Sequence, residues 1–491
     1  MIRALQKFVE TSLDEVLSGV EDEAAAQASV VALFHSVARD VPAYAAFLAE
    51  REVDPASVRG YDDFAWLPLV SKANYHARYP LHDLCRHGRL AANDFVAVSS
   101  GSTGQPTFWP RFITDELAVA RRFEQAFRDS FRAHERSTLA IVCFALGTWV
   151  GGMFTTSCCR HLAARGYPIT VVTPGNNVAE ILRVVQCLGP EFHQIVLLGY
   201  PPFLKDVVDA GLADGVDWPR YAPRLVMAGE VFSEEWRTLV GNRIGSSQVC
   251  FDSVSLYGTA DAGVLGNETP LSISIRRFLA EHPDAARALF GESRLPTLVQ
   301  YDPRVRFFEA IDGMLVFSGD NGIPLIRYHI ADSGGVIPYQ KMLEFLGTCG
   351  FDPRAGLGDG AVRPMPFVYV FGRADFTISF FGANVYPENV TIGLEQPPID
   401  QWVTGKFVMQ SREDEDRNRY LSIVVELGPG VAPDQDKVEA IADSILRHLL
   451  RLNSEFANYV PVERQRPKVE LAPLGDPTYF PVGVKHRYTR R

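Results

Sequence analysis

Between Leu139 and Gly258 the chain reads LAIVCFAL (139–146), PITVVTP (168–174), QIVLLGYP (194–201), RLVMAGE (224–230) and SVSLYG (253–258), with helix-length amphipathic segments between the runs. Short apolar runs rich in β-branched residues and bounded by Pro or Gly read as buried strands. Their alternation with helices predicts a parallel, doubly wound sheet, in which ligands collect beyond the carboxyl ends of the strands. Two of those ends, Ala228-Gly229-Glu230 and Tyr257-Gly258-Thr259-Ala260-Asp261, set small residues beside a carboxylate.

Upstream, the chain is helical: Ser12-Leu13-Asp14-Glu15 matches a capping box, and EDEAAAQASVVALFHSVA (21–38) stops ahead of Pro42. Downstream of Leu295 the texture turns strand-rich, and Asp312-Gly313 sits between RVRFFEAI (304–311) and MLVFSG (314–319) as a two-residue hairpin turn. After Asp375 the chain reads as strands TISFF and NVYP, a hairpin KFVMQ…YLSIVVEL around the charged loop SREDEDRNR, a helix over DKVEAIADSILRHLLRLN and a strand KVELAPL. The expected class is therefore α/β. It has a large N-terminal domain over 1–375, with doubly wound sheets plus a β-rich subdomain, and a small α+β C-terminal domain over 376–491.

Composition narrows the function classes. The 491 residues carry 48 Lys+Arg against 59 Asp+Glu, a formal charge of −11, which argues against a nucleic-acid binder. Seven cysteines lie scattered with no CxxC pair, so neither a disulfide framework nor structural zinc is expected; Cys158 and Cys159 read as packing residues. The N-terminal stretch is charged where a signal peptide needs an apolar core, and no apolar run reaches spanning length. These features predict a cytoplasmic protein with no membrane association, and the length suits an enzyme. Monomer and homodimer are both open.

The most pointed chemical segment is Ser99-Ser100-Gly101-Ser102-Thr103-Gly104-Gln105-Pro106-Thr107, between the apolar runs DFVAV and FWPRF. Its hydroxyls, together with backbone amides freed by glycine to adopt φ > 0, can close on an anion. By composition alone the plainer reading is a flexible surface hairpin. The loop is neither a Walker loop nor a GxSxG elbow.

Taken with segments downstream, the loop gains meaning. The Gly229-Glu230 and Tyr257-Gly258 strand ends, Asp332 in PLIRYHIAD (324–332), Gly372-Arg373-Ala374-Asp375 and Gly483-Val484-Lys485 follow it in an order that resembles the adenylate-forming superfamily. Asp63-Phe-Ala-Trp-Leu-Pro-Leu-Val-Ser-Lys72 with Tyr79-Pro80, preceded by Val41-Pro42-Ala43-Tyr44, is similar to the N-terminal signature of its phenylacetate-CoA ligase branch.

The resemblance implies an ATP-dependent ligase that activates an aryl carboxylic acid as acyl-AMP and passes it to coenzyme A. ATP and Mg²⁺ are the implied cofactors, a small aromatic acid is the substrate, and a carrier protein is an alternative acceptor. It implies that Ser100, Gly101, Ser102, Thr103 and Gly104 hold the β- and γ-phosphates, with Ser99 beside them in the ATP site. Gly229, Glu230, Tyr257, Gly258 and Thr259 would line the adenine, and Asp332 would accept the ribose hydroxyls, as a carboxylate with two acceptor oxygens can. Asp261 would hold Mg²⁺. Arg373 and Lys485 are the implied catalytic cations, Asp375 the hinge of a mobile C-terminal domain. Trp149, Gly151 and Tyr257 would frame the acid. From the residues alone, Glu230 is equally readable as a helix cap, and Lys485 as part of a basic tail.

Three segments depart from the family pattern. Tyr257-Gly258-Thr259-Ala260-Asp261 has Ala260 in place of a hydroxyl and Asp261 in place of a longer Glu. Tyr328-His329-Ile330-Ala331-Asp332 lacks an arginine, and Ser379 stands where relatives often place a base for thiol transfer. The departures leave room for other acceptor chemistry on the same ATP site, such as an adenylylating synthetase or a diazotase using nitrite and an aryl amine.

Overall fold

The computed structural model describes residues 1–99, 107–147, 150–291, 295–358, 360–373, 377–480 and 488–489, with only the backbone of Arg373. The strands are β1 Phe95–Ser99, β2 Thr107–Arg111, β3 Thr138–Val142, β4 Ile169–Val172, β5 Gln194–Gly199, β6 Arg224–Ala228, β7 Ser253–Thr259, β8 Gly263–Asn267 and β9 Thr297–Gln300. They continue as β10 Arg306–Ile311, β11 Met314–Gly319, β12 Leu325–Ile337, β13 Phe367–Arg373, β14 Ile378–Phe380, β15 Ala383–Val385, β16 Val403–Glu413, β17 Arg419–Leu427 and β18 Lys468–Ala472.

All five opening runs form strands, and β4-β3-β5-β6-β7 pair in parallel in that order. The central ones are apolar throughout because helices cover both faces: Ile195, Val196, Leu197 and Leu198 are fully buried. The β-rich part is not a separate layer. From β7 the sheet turns antiparallel and runs on through β8, β9, β13, β12, β11 and β10, so eleven strands share one sheet. Ile311 pairs with Met314 across the predicted two-residue turn, where Asp312 (φ +51°) and Gly313 (φ +75°) both adopt the left-handed conformation such a turn demands.

The N-terminal helices cover the antiparallel half. Asp22 caps the helix Glu23–Asp40 by accepting from the Ala25 amide at 3.1 Å, and Pro42 opens the next helix at its first turn. Ser12 forms its half of the predicted capping box, accepting from the Glu15 amide. Phe34, Tyr44, Phe47, Phe64 and Tyr75 pack with Phe317, Leu325 and Tyr328 of the sheet.

After the large sheet come the hairpin β14–β15 and a three-stranded sheet β16-β17-β18, in which β16–β17 is antiparallel and β17–β18 parallel. The helix Gln435–Leu452 buries Ile441, Ile445 and Leu449 against it. No helix among the described residues is long and apolar enough to cross a membrane.

Candidate active site

The sheet brings sequence-distant segments to one place. A cavity of about 280 Å³ at the carboxyl ends of β5, β6 and β7 is lined by Gly229 and Glu230, by Tyr257, Gly258, Thr259 and Asp261, and by Asp332 of β12. Ser99, Gly151 and Gly372 border the same space. Arg373 pairs in register with Asp332 across β12–β13, which carries its backbone to the rim. Ser100, Gly101, Ser102, Thr103, Gly104, Trp149, Asp375 and Lys485 lie outside the described residues. The ends of the Ser/Gly/Thr loop are fixed, since Ser99 pairs with Thr107 across β1–β2 and its hydroxyl accepts from Trp109 Nε1 at 3.2 Å.

Hydrogen bonds tie the carboxylates to tyrosines. Tyr257 donates its hydroxyl to Asp332 Oδ2 at 2.7 Å, and Tyr328 donates to Asp261 Oδ2 at 2.6 Å. Both carboxylates are buried. Asp261 Oδ1 faces Lys72 Nζ at 3.1 Å. Lys72 reaches that point because Val70 runs as an extra rung beside β12: its amide donates to the Arg327 carbonyl, and its carbonyl accepts from the His329 amide at 2.8 Å. The sequence reading assigned Lys72 only to a signature. Its proximity to Asp261 spans nearly two hundred residues of chain, and no local pattern announces it.

Beneath the Tyr257–Asp261 turn lies buried Arg111, which donates to the Ala260 carbonyl. Burial pushes its guanidinium down to about 10 and lifts the neighbouring Asp115 carboxyl to about 6. Ala331, just before Asp332, holds φ +69°, a left-handed conformation that costs a residue bearing a Cβ roughly 1–2 kcal/mol.

Glu230 is not a helix cap; Ser233 caps the following helix by accepting from the Trp236 amide. The Glu230 carboxylate is buried and accepts from the Gly382 amide at 2.8 Å, and Arg419 of β17 forms an ion pair with it. Burial pulls its carboxyl upward and Arg419 opposes that shift. Ser379 donates its hydroxyl to the Gly229 carbonyl at 2.9 Å. Asn384, Tyr386, Glu455 and Tyr459, all from the C-terminal part, complete the cavity wall, with the Asn384 amide donating to Glu455 at 3.1 Å. The apolar lining comes from Val119, Phe123, Phe144, Val150, Phe154 and Val264.

The residues do not build a metal site by themselves. Asp261 offers a single carboxylate, Lys72 and Tyr328 already engage both its oxygens, and no three His, Cys, Asp or Glu among the described residues are grouped to hold an ion.

No protein-family model matches the chain. It is 25% identical over 354 residues to the phenylacetate-coenzyme A ligase of Thermus thermophilus, a match spanning 71% of this chain and 70% of that one. Among solved structures, 2-hydroxyisobutyryl-CoA ligase with 2-HIB-AMP and CoA in its thioesterification state superposes with a TM-score of 0.65, at 15% identity, over 99% of this chain and 91% of the other. The same ligase in an open conformation gives 0.52, at 16% identity, over 96% and 91%.

Proposed function

We propose, from the premise that the chain belongs to the adenylate-forming superfamily beside its phenylacetate-CoA ligase branch, that it uses ATP to activate a small aryl carboxylic acid and transfers the acyl group to coenzyme A. A single observation carries the reading. Gly229-Glu230, Tyr257–Asp261, Asp332, Ser99 and Lys72 meet in one cavity at the carboxyl ends of the strands, where the fold is expected to bind nucleotide.

In this reading a carboxylate oxygen of the acid attacks the α-phosphorus. The bond from that phosphorus to pyrophosphate breaks, leaving acyl-AMP. Two anions approach one another in this step, so its barrier is largely one of positioning and charge neutralisation. Asp332, held by Tyr257, accepts the ribose hydroxyls, and the turn after β7 lies against the adenine. Lys72 supplies positive charge in the cavity that Ser99 borders, and the Ser/Gly/Thr segment carries no lysine of its own. Arg373 and Lys485 serve the α-phosphate, and Asp375 the hinge. Mg²⁺ would supply further charge neutralisation when it arrives with the nucleotide; the engaged Asp261 gives no open protein ligand for it, and no step is routed through the metal. The Phe123, Phe144 and Phe154 wall suits a flat apolar acid.

Acid-dependent exchange of pyrophosphate into ATP, measured over a panel of aromatic acids, tests the reading. Exchange with at least one acid is the expected result, and tight ATP binding without exchange for any acid rejects it. Position 379 favours a second reading. The Ser379 hydroxyl is spent on the Gly229 carbonyl, so no base stands there to assist a thiol. Mass spectrometry of the products with and without coenzyme A, and with nitrite plus an aryl amine, separates a different acceptor from the thioester.

A further inference from the structure

The charged loop SREDEDRNR reads in sequence as a solvated hairpin turn, yet three of its side chains dock on the large α/β part. Asp414 shapes the turn, its Oδ1 accepting from the amides of Asp416 (3.0 Å) and Asn418 (2.8 Å). Asp416 and Asn418 are thereby presented to Lys205 of the helix Pro201–Ala213, whose side chain is only 1% exposed. Lys205 Nζ reaches Asn418 Oδ1 at 2.7 Å, Asp416 at 3.4 Å and, on its own helix, Asp209 at 2.6 Å. An ammonium has three donors, and these three acceptors account for all of them. Arg243 also pairs with Asp416, and Arg419 continues the contact to Glu230 and the Val231 carbonyl.

This contact is one of several between the two parts of the chain, beside Arg464–Asp206 at 2.8 Å and Asn176 donating to the Asn458 carbonyl at 2.8 Å. On separation this buried lysine keeps Asp209 of its own helix but loses Asn418 and Asp416, so the docked arrangement is favoured by charges on both sides. The same contact reaches the nucleotide end of the cavity, because Arg419 grips Glu230 while Gly382, Asn384 and Glu455 complete the wall.

We propose that the Asp414–Arg419 turn is an interdomain clasp that positions the C-terminal part for acyl transfer, with Lys205 and Asp416 as positioning residues. The transfer role rests on the proposed function; the clasp itself does not. The test uses the full chain with Asp416→Asn and, separately, Lys205→Met, which keeps a long side chain in the buried site. Small-angle scattering of each protein reports the arrangement without any substrate, and pyrophosphate exchange and single-turnover thioester formation report the two half-reactions. Both variants should scatter as more open particles, exchange pyrophosphate within about twofold of the parent, and lose ~10-fold or more in transfer, as removal of one partner from a partly buried charge pair predicts. Unchanged scattering and transfer in both variants overturns the clasp. So does an equal fall in both half-reactions accompanied by a lowered melting temperature, which marks a merely structural contact. If the parent exchanges no pyrophosphate with any acid, the functional reading fails, and scattering alone decides the clasp.

Discussion

Single residues around the Tyr257–Asp261 turn carry the sharpest expectations. Lys72→Met removes a cation 3.1 Å from Asp261 and should lower pyrophosphate exchange by ~10²-fold, the usual scale for losing one preorganised charge or donor. Its side chain is 40% exposed but the carboxylate it leaves behind is buried, so the melting temperature should fall as well, and a thermal scan beside the exchange assay checks both halves. Asp115 gives a pH signature. Burial raises its folded pKa to about 6, above its unfolded value, so its contribution to stability is complete below about pH 4 and is lost as pH rises through 6. Asp115→Asn keeps both backbone bonds, since the Phe112 and Gly322 amides both reach Oδ2. Denaturant unfolding should therefore show the variant gaining on the parent between about pH 4 and pH 7; a difference independent of pH would mean that Asp115 is charged throughout. At Ala331, glycine removes the left-handed strain, and Ala331→Gly should leave stability unchanged or raise it by up to ~1 kcal/mol, read from the same unfolding curves.

At the scale of elements, the hairpin β14–β15 is the piece on which docking turns. Gly382 lies so close to Tyr200 that an added Cβ would sit 2.0 Å from its ring, and its φ of +81° disfavours any other residue. Tyr200 itself is wedged between Phe144 and Tyr459, at centroid distances of 4.9 and 5.3 Å, and cannot yield cheaply. Gly382→Ala should therefore leave pyrophosphate exchange near the parent value and abolish most acyl transfer, as single-turnover measurements of the two half-reactions can show. The strands and helices were largely legible beforehand, because alternating apolar runs, caps and turn residues are local signals. β5 is apolar at every central position because both its faces are covered, and Asp312-Gly313 turns because those residues tolerate φ > 0. The union of the β-rich part with the parallel sheet was not legible. It depends on which edges pair across the β7–β8–β9 junction, and edge pairing leaves no mark on periodicity.

For the molecule as a whole, ligand binding should couple to stability. ATP at ~100 times its dissociation constant should raise the unfolding free energy by about 2.7 kcal/mol, and a thermal-shift titration reads this directly; no shift at millimolar ATP would argue against a nucleotide site. The sequence by itself determined the α/β class, the position of the strand ends and the motif residues, since propensity, burial pattern and turn chemistry act over a few neighbours. It also singled out Glu230, Tyr257 and Asp261, because small residues beside a carboxylate mark two of the strand ends, while Asp332 was implied by the resemblance to the adenylate-forming superfamily. Only the tertiary structure decided what each of them meets. Tyr257 reaches Asp332 across 75 residues, Lys72 reaches Asp261 across 189, and Arg419 reaches Glu230 across 189. Such pairs form between segments brought together by the closing of the sheet and the docking of the C-terminal part. Their attraction falls off within a few ångströms, so nothing in the order of residues along the chain records them.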